Sequence, residues 1–220
     1  MTLSETKADL AEPPLNCALC ERLVSFRTDN AQANPNWFNA PVPSFGDPDA
    51  RLLIVGLAPG LQGANKTGRP FTGDYAGDLL YATLEKFGFT IGTYAADPND
   101  GLELRDCMIT NAVRCVPPQN KPVGDEIRLC RNFLTQRIRQ LPDLRAIVVL
   151  GRIAHDSTLS ALDLKRSAHP FGHRAQHHIN ENQLLFDSYH CSRYNTNTGR
   201  LTTKMFEDVF SNVRKYLQSC

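Results

Sequence analysis

RLLIVGLAPGLQGANKTGRPFTGDYAGD, residues 51–78, combines a short apolar run, a loop rich in glycine and proline, and the beginning of a helix. The apolar run stops at Gly56, and helical periodicity begins after Asp74. In open α/β sheets a loop of this kind lies at the carboxyl end of its strand, where ligands bind. Glycine lets backbone approach a ligand closely, and the prolines stiffen the loop. The stretch therefore predicts an α/β fold with a ligand site on this loop.

A phosphate-binding P-loop is an alternative interpretation of the same stretch. That motif requires a glycine, four residues, and then Gly-Lys-Ser/Thr opening a helix. Gly60 and the pair 66–67 (Lys-Thr) fit, but Asn65 stands where the second glycine should be. Pro70 follows closely and would have to occupy the first helical position to be tolerated. The P-loop is therefore the less favoured interpretation.

The rest of the chain alternates apolar runs with amphipathic segments. Strands are predicted at 52–56, 107–113, 144–150 and 184–189, and helices at 75–87, 125–140, 152–162 and 201–217. Four strands alternating with helices predict a three-layer α/β/α fold with a central four-stranded parallel sheet. We expect a single domain over 1–220. Segments outside these elements include a polar N-terminal arm at 1–14, an extended connection at 37–50, and an irregular or hairpin excursion at 165–182.

Composition excludes several classes of protein. The chain has 220 residues and a formal net charge of +1, so no global basic field indicates a nucleic-acid partner and any such binding requires a local patch. Its N-terminus lacks the apolar core of a signal peptide, and no apolar run is long enough to span a membrane. We therefore expect an intracellular, cytoplasmic protein without membrane contacts.

Seven cysteines in a reducing compartment do not indicate a disulfide framework, so metal ligation is the better use for some of them. Cys17 and Cys20 have C-x2-C spacing, whereas 14 residues separate Cys115 from Cys130. Structural zinc sites more often use two short pairs, so the wide second pair favours an iron–sulfur cluster without excluding zinc. Cys115 and Cys130 could also be ordinary buried thiols, the interpretation given to Cys107, Cys191 and Cys220.

Three loops at predicted strand ends should converge in this topology: 57–74, 111–115 and 190–200. Between them they carry Phe71, Asp74, Asn111, His190, Arg193 and Arg200. An aromatic plane, an amide and an imidazole suit a flipped-out base, because the ring stacks on its face and the amide reads its edge. The basic residues could hold flanking phosphates.

Each of these residues also has a structural explanation when taken alone. Phe71 could belong to the core, Asn111 could serve a turn, and Asp74 could cap the following helix. His190 is harder to explain in this way, because it ends an apolar strand at the ligand edge of the sheet. The four histidines between 169 and 178 surround a proline and a glycine, so a solvated loop is preferred there to a metal site.

Taken together, these motifs resemble the uracil-DNA glycosylase superfamily, and within it the iron–sulfur-containing family 5, or type b. The resemblance rests on GLAPG, GRPFTGD, TNAVRC, SYHCSRYNTNTGRLT and the four cysteines, and it extends from Cys17 through the last helix. The family usually has a polar residue directly after the first glycine, where this chain has Leu57. Family 5 shares that departure, and Asp74 is then the implied replacement for positioning the attacking water.

The resemblance also implies roles for the other residues. Phe71 would stack on the extruded base, Asn111 would read its edge, and His190 would stabilise charge on the leaving base. Gly56, Leu57 and Ala58 would line the base pocket. The loop after His190 would enter the DNA, with contacts from Arg193, Asn195, Asn197 and Arg200. Cys17, Cys20, Cys115 and Cys130 would hold a structural [4Fe-4S] cluster.

The implied activity is hydrolysis of the N-glycosidic bond of uracil, hypoxanthine and xanthine in damaged double-stranded DNA, leaving an abasic site. No lysine in the motifs suggests a Schiff base, so the enzyme should be a monofunctional glycosylase without strand cleavage. We expect a monomer. An iron–sulfur redox or sensor protein is the alternative, in which the cluster itself would be the functional centre.

Overall fold

The computed structural model describes residues 10–220 and has a six-stranded sheet between layers of helices. The strands are β1 (Phe45–Gly46), β2 (Leu52–Gly56), β3 (Thr90–Ile91), β4 (Glu103–Leu104), β5 (Cys107–Asn111), β6 (Ala146–Leu150), β7 (Gln176–Asn180) and β8 (Gln183–Ser188). The helices are α1 (Glu21–Ala33), α2 (Ala64–Thr67), α3 (Tyr75–Lys86), α4 (Gly124–Arg139), α5 (Arg152–Ala161), α6 (Arg193–Asn197) and α7 (Thr203–Gln218).

The strand order in the main sheet is β1-β5-β2-β6-β8-β7. Its four inner strands are mutually parallel, which confirms the predicted central parallel sheet. Both edge strands are antiparallel and were not predicted as strands. β1 has two residues within the expected extended connection, too few to give a pattern. β7 belongs to the predicted hairpin excursion, and its polar sequence QHHIN suits an edge.

Both faces of the inner strands are buried, because helices cover each side. Leu52 and Ile54 face α3 and α7, whereas Leu53 and Val55 face α4 and α5. This alternation within an uninterrupted apolar run is the three-layer arrangement expected from the sequence. The last helix, α7, buries the predicted apolar stripe that includes Phe206, Val209, Phe210, Val213 and Leu217.

The N-terminal segment is only partly described, since residues 1–9 of the predicted polar arm lie outside the described residues. Its continuation packs on the protein, with Ala11 buried. Glu12 forms ion pairs with the guanidinium groups of Arg114 and Arg137 at 2.8 and 2.7 Å. Burial opposes ionisation of Glu12, but the two arginines prevail and lower its pKa. The segment before α1 is thereby attached to the loop after β5 and to α4.

The segment 190–200, expected to be a loop, contains the short helix α6, which Ser192 caps by accepting a hydrogen bond from the amide of Asn195. Short polar helices of this size have too few residues for a detectable apolar period. Among residues 10–220, no helix is both long and apolar enough to cross a membrane.

Candidate active site

The carboxyl ends of β2, β5 and β8 meet at one edge of the sheet and form a cleft there. All three predicted loops contribute to it, because parallel neighbouring strands deliver their following loops to the same edge. The cleft is lined by Leu57, Ala58, Phe71, Asp74, Asn111, His190 and Arg193, together with Tyr75 and Asn120, which were not predicted. Position after a strand thus correctly placed seven of the candidate residues in this cleft.

Phe71 and His190 form the aromatic part of the cleft, with ring centroids 6.0 Å apart and planes inclined by 29°. Gly56 lies beneath them, where a Cβ would be 2.7 Å from Cζ of Phe71. Phe71 has a φ of 53°, which is unusual for a bulky side chain and indicates a loop held by its surroundings. Its carbonyl accepts a hydrogen bond from the hydroxyl of Tyr94 at 3.2 Å and packs against Gly77.

A buried ion pair supports the same loop. The guanidinium group of Arg69 contacts both carboxylate oxygens of Asp100 at 2.7 and 2.8 Å, and both side chains are almost fully buried. The Arg69 hydrogen bonds hold the pKa of Asp100 well below its usual value. Arg69 also lies 5.6 Å from the ring centroid of Tyr81 and 5.7 Å from that of Tyr94. This fixed support explains how Phe71 keeps its strained backbone conformation.

Asn111 ends β5 and is 3% exposed. Its Oδ1 atom is buried and has no hydrogen-bond partner among the described residues. A Cβ at Gly56 would lie only 2.3 Å from this oxygen, so the absence of a side chain at Gly56 leaves room for the amide. Buried acceptors without a partner are costly, so the site is prepared for a ligand N–H.

His190 follows β8 and is half-buried. Burial lowers its pKa to about 4, so the imidazole is neutral near pH 7. Its Nδ1 atom is buried and has no partner among the described residues. The side-chain amide of Asn195 donates a 2.8 Å hydrogen bond to the backbone carbonyl of His190 and so fixes its position. A neutral imidazole held in this way can donate one hydrogen bond to a ligand.

Asp74 is both the N-cap of α3 and a wall of the cleft, as its two predicted roles require. Its Oδ1 atom accepts a hydrogen bond from the amide of Gly77 at 3.1 Å. Its Oδ2 atom packs against Gly63, where a Cβ would lie 2.4 Å away. Burial raises the pKa of Asp74, while hydrogen bonds from the amides of Gly77 and Ala76 oppose that increase. The carboxylate is thus held rigidly at the edge of the cleft.

The segment carrying α6 forms one rim of the cleft. Arg193 lies over the ring of Tyr75 at 5.3 Å, and Arg200 lies over Tyr189 at 4.6 Å. Asn197 is exposed, but the side chain of Asn195 is used within the protein to hold His190. Sequence reasoning missed Tyr194, whose side chain is 72% exposed on the same helix. An exposed aromatic residue between polar neighbours carries no periodic signal in the sequence.

The P-loop interpretation has the wrong geometry. α2 has only four residues and ends at Gly68 in the left-handed conformation. The hydroxyl of Thr67 donates within the loop and has carbonyl oxygens of Gly63 and Thr72 at 3.1 Å. The Thr67 hydroxyl is therefore engaged by the backbone of its own loop and does not face a phosphate site. Lys66 lies 5.9 Å from the ring centroid of Trp37, away from the cleft lining.

Cys17, Cys20, Cys115 and Cys130 line one small cavity between α1, the loop after β5, and α4. Apolar side chains including Leu23 complete its wall. Burial raises the pKa of Cys115 to about 11 and that of Cys130 to about 12. In the absence of a metal these two thiols are neutral. The other three cysteines do not line this cavity.

Two N–H groups already point at the sulfur atoms of this cavity. The guanidinium group of Arg27 donates to Sγ of Cys115 at 3.2 Å, and the backbone amide of Arg114 donates to Sγ of Cys130 at 3.3 Å. Donors of this kind stabilise thiolates and tune iron–sulfur clusters. Four cysteines around one cavity, together with apolar walls and N–H donors, fit an iron–sulfur cluster.

The interpretation of residues 169–178 as a solvated loop is wrong for His177. This residue lies on β7, its side chain is 10% exposed, and Nε2 is 3.2 Å from Oδ2 of Asp187. Local sequence could not predict the burial of His177, because its partners lie on other elements: Asp187 on β8 and His155 on α5.

Comparison with known proteins agrees with this geometry. A family model described as the uracil DNA glycosylase superfamily matches residues 43–214. The chain belongs to this superfamily. A type-5 uracil-DNA glycosylase of Thermus thermophilus is 44% identical over 205 residues, covering 90% of this chain and 93% of the relative. A type-5 uracil-DNA glycosylase of Pyrobaculum aerophilum is 36% identical over 206 residues, covering 91% and 89%.

A type-4 uracil-DNA glycosylase of Sulfurisphaera tokodaii aligns over less of the chain, with 35% identity over 144 residues, or 65% of this chain and 53% of the relative. The family and type recognised from the sequence motifs are therefore confirmed. The enzyme class is confirmed with them: the chain is a hydrolase of the DNA glycosylase class.

Proposed function

We propose that this glycosylase hydrolyses the N-glycosidic bond of uracil in double-stranded DNA, and that it also accepts hypoxanthine and xanthine. The observation that carries the proposal is the buried amide oxygen of Asn111, which has no partner within residues 10–220 and lies beside the rings of Phe71 and His190. This combination provides a hydrogen-bond acceptor, a stacking surface and a neutral donor for one flat heterocycle. The names of the type-5 relatives support uracil as a substrate.

Base recognition follows from the positions of Phe71 and Asn111. An extruded base would stack on the ring of Phe71, and its edge N–H would donate to Oδ1 of Asn111. That hydrogen bond satisfies an acceptor that is otherwise buried and unpaired. The uracil and hypoxanthine edges both carry a ring N–H, whereas the pairing edge of cytosine does not. Cytosine instead presents an unprotonated ring nitrogen at that position, so two hydrogen-bond acceptors would face each other.

Catalysis in this proposal divides between His190 and Asp74. Water attacks C1′ of the sugar and releases a proton to solvent, the C–N bond breaks, and the base leaves as an anion. His190, neutral because burial lowers its pKa to about 4, donates a hydrogen bond to the developing charge. Loss of one such donor typically costs about 10²- to 10³-fold in rate. Asp74 holds the attacking water, because its carboxylate is fixed by amides at the cleft edge.

The breadth of the substrate range rests on Leu57. This cleft residue offers no polar side-chain group, and it occupies the position at which the superfamily usually has a polar residue. A pocket with fewer specific hydrogen bonds discriminates less strongly among bases, including larger purines. No lysine lines the cleft among the described residues, which supports simple hydrolysis without strand cleavage.

DNA contacts in this proposal come mainly from the segment around α6. Arg193, Asn197 and Arg200 are exposed there and could contact phosphates on either side of the lesion. Tyr194 projects from the same helix and could enter the space left by the flipped base. Asn195 supports these contacts indirectly by fixing His190. The partner is then damaged duplex DNA, bound by a monomer.

We infer that Cys17, Cys20, Cys115 and Cys130 hold a [4Fe-4S] cluster with a structural role. When bound, the cluster would join α1 to the loop after β5 and to α4, and it supplies no chemistry to the base-release steps above. The test is the iron content of a Cys115→Ser variant beside a Cys220→Ser control, since Cys220 is exposed and outside the cavity. Full retention of iron by Cys115→Ser would remove that ligand from the proposal.

Base release from labelled duplexes tests the proposed function. The parent protein and the Asn111→Ala, His190→Ala and His178→Ala variants would be incubated with uracil opposite guanine, hypoxanthine opposite thymine, and undamaged DNA. Alkali then reveals abasic sites. We expect cleavage of both damaged strands only after alkali, with strong loss in the first two variants and none in the control, because His178 lies at the exposed edge of β7.

Uracil release without hypoxanthine release would contradict the broad substrate range while leaving the glycosylase assignment intact. Strand breaks before alkali would contradict the monofunctional mechanism. Absence of release from iron-loaded protein would instead favour the iron–sulfur redox or sensor function, for which reversible reduction with a partner could be measured.

A further inference from the structure

We propose that His155, His177 and Asp187 form a second metal site, separate from the four cysteines and suited to Zn²⁺. Each residue offers one ligand atom, and all of these atoms lie within 4.8 Å of one another. Two imidazole nitrogens and one carboxylate oxygen are a ligand set that zinc accepts, with a fourth position left for water. Nothing in this proposal depends on the glycosylase activity.

The fold brings these residues together from three elements. His177 on β7 pairs in register with Leu185 on β8, so Asp187 is its diagonal neighbour on the same face of the sheet. That face packs against α5, as the burial of Leu185 and Ala154 in one cluster indicates. His155 lies on α5 one residue after Ala154 and reaches the same point. Nδ1 of His155 is 2.7 Å from Oδ1 of Asp187.

The surroundings of the three ligands are those of a metal site. Nε2 of His155 is 2.9 Å from the carbonyl oxygen of His169, an arrangement that orients the ring and directs Nδ1 inward. The amide of Gly172 donates to Oδ2 of Asp187 at 3.1 Å. Such second contacts normally hold metal-ligating histidines and carboxylates in place.

Zinc would fit with small movements of the side chains. Bond lengths of about 2.0–2.2 Å place neighbouring ligand atoms of a tetrahedral ion roughly 3.3 Å apart. The Nε2–Oδ2 distance between His177 and Asp187 is already 3.2 Å, while the 2.7 Å contact of His155 would lengthen. Both nitrogens of His155 face oxygen acceptors, so in the metal-free protein a proton lies at Nδ1, and the metal would replace it and release it to solvent.

Metal binding distinguishes this site from a cluster of hydrogen bonds with a purely structural role. Co²⁺ is a suitable probe, because it takes zinc positions and has a visible spectrum that depends on its ligands. It would be added to the full-length, iron-loaded protein so that the cysteines are already occupied. We expect one Co²⁺ per chain with the weak visible bands of nitrogen and oxygen ligands, and without the intense absorption that thiolate ligands produce.

His177→Ala is the test variant, because His177 lies near the sheet edge and its loss removes a ligand without opening the core. His178→Ala is the matched control, since it is the next residue on β7 and faces the other way. We expect Co²⁺ affinity to fall at least tenfold in His177→Ala, a lower limit set by the roughly 10- to 100-fold cost of losing an outer contact. The control should retain the parent affinity.

Thermal unfolding with and without Zn²⁺ gives a second measurement. Zinc should raise the melting temperature of the parent and of His178→Ala, and should leave His177→Ala unchanged. If His177→Ala folds poorly, His177→Gln keeps a hydrogen bond to Asp187 and serves in its place. Absence of Co²⁺ bands in the parent, a thiolate spectrum, or equal affinity in the test and control variants would overturn the proposal.

Discussion

Gly56→Ala should slow base release about 100-fold without unfolding the enzyme, because the new methyl group would enter the floor of the cleft. It would lie 2.3 Å from Oδ1 of Asn111 and 2.7 Å from Cζ of Phe71, against ordinary contacts of 3.4–4 Å. The amide oxygen must therefore retreat by about 1 Å, and a misplacement of that size can cost about 10²-fold in rate. This loss corresponds to about 2.7 kcal/mol of transition-state stabilisation.

The assay is single-turnover release of uracil with enzyme in excess, so that product release does not limit the measured rate. Overpacking should also cost about 1–3 kcal/mol of stability, which urea unfolding would measure separately. Gly124→Ala is the matched control, since a Cβ there meets nothing within 4 Å. A folded Gly56→Ala enzyme that releases uracil at the parental rate would refute the assignment of Asn111 and Phe71 to the base pocket.

Three further predictions concern stability, DNA and pH. Asp100→Ala leaves the buried guanidinium of Arg69 without its charge partner and should lower the free energy of unfolding, measured in urea, by about 3–5 kcal/mol. Asp97→Ala changes an exposed residue and should have little effect, so similar urea midpoints for the two variants would contradict this reasoning. Tyr194→Ala should slow uracil release from uracil–adenine pairs by about 5- to 150-fold, because it removes a stacking contribution of roughly 1–3 kcal/mol, and should slow release from single-stranded DNA least. An equal loss of rate on duplex and single-stranded DNA would argue against insertion of Tyr194 into the duplex. Burial lowers the pKa of His190 from 6.5 to about 4, so the unfolded chain binds a proton at higher pH than the folded protein does, and stability should fall as pH decreases from 6.5 to 4. His190→Gln should make the dependence of stability on pH shallower over this interval, and parallel stability curves for parent and variant would refute the reasoning.

Much of the fold was predictable because the inner strands are uninterrupted apolar runs and the helices between them have clear periodicity. Asp74 was predictable as a cap, and Phe71, Asn111 and His190 as residues of loops that follow parallel strands. The assignment of these residues to one common site rested on the resemblance of whole motifs, because no single residue distinguishes a base pocket from a turn. Local sequence thus predicted the elements and the side of the sheet that carries the cleft.

The rest depended on contacts between distant parts of the chain. β1 and β7 are strands because a neighbour offers a free edge, and their own residues carry little signal. The ion pair of Arg69 with Asp100 crosses 31 positions of sequence, and His155 meets His177 only after α5 packs on the sheet. Polar residues without periodicity can be assigned to such contacts only when the tertiary arrangement is known.

The cavity lined by four cysteines also has a consequence for biosynthesis. Cys115 follows Cys20 by 95 residues, and the ion pair of Glu12 with Arg114 likewise forms only after Arg114 has been synthesised. At about 5–20 residues per second, the first two thiols emerge roughly 5 to 20 s before a third exists to join them. During that interval they are reactive side chains on an incomplete chain, open to oxidation or to a metal that two thiolates can hold. Iron for the proposed cluster must therefore be delivered after translation has passed α4.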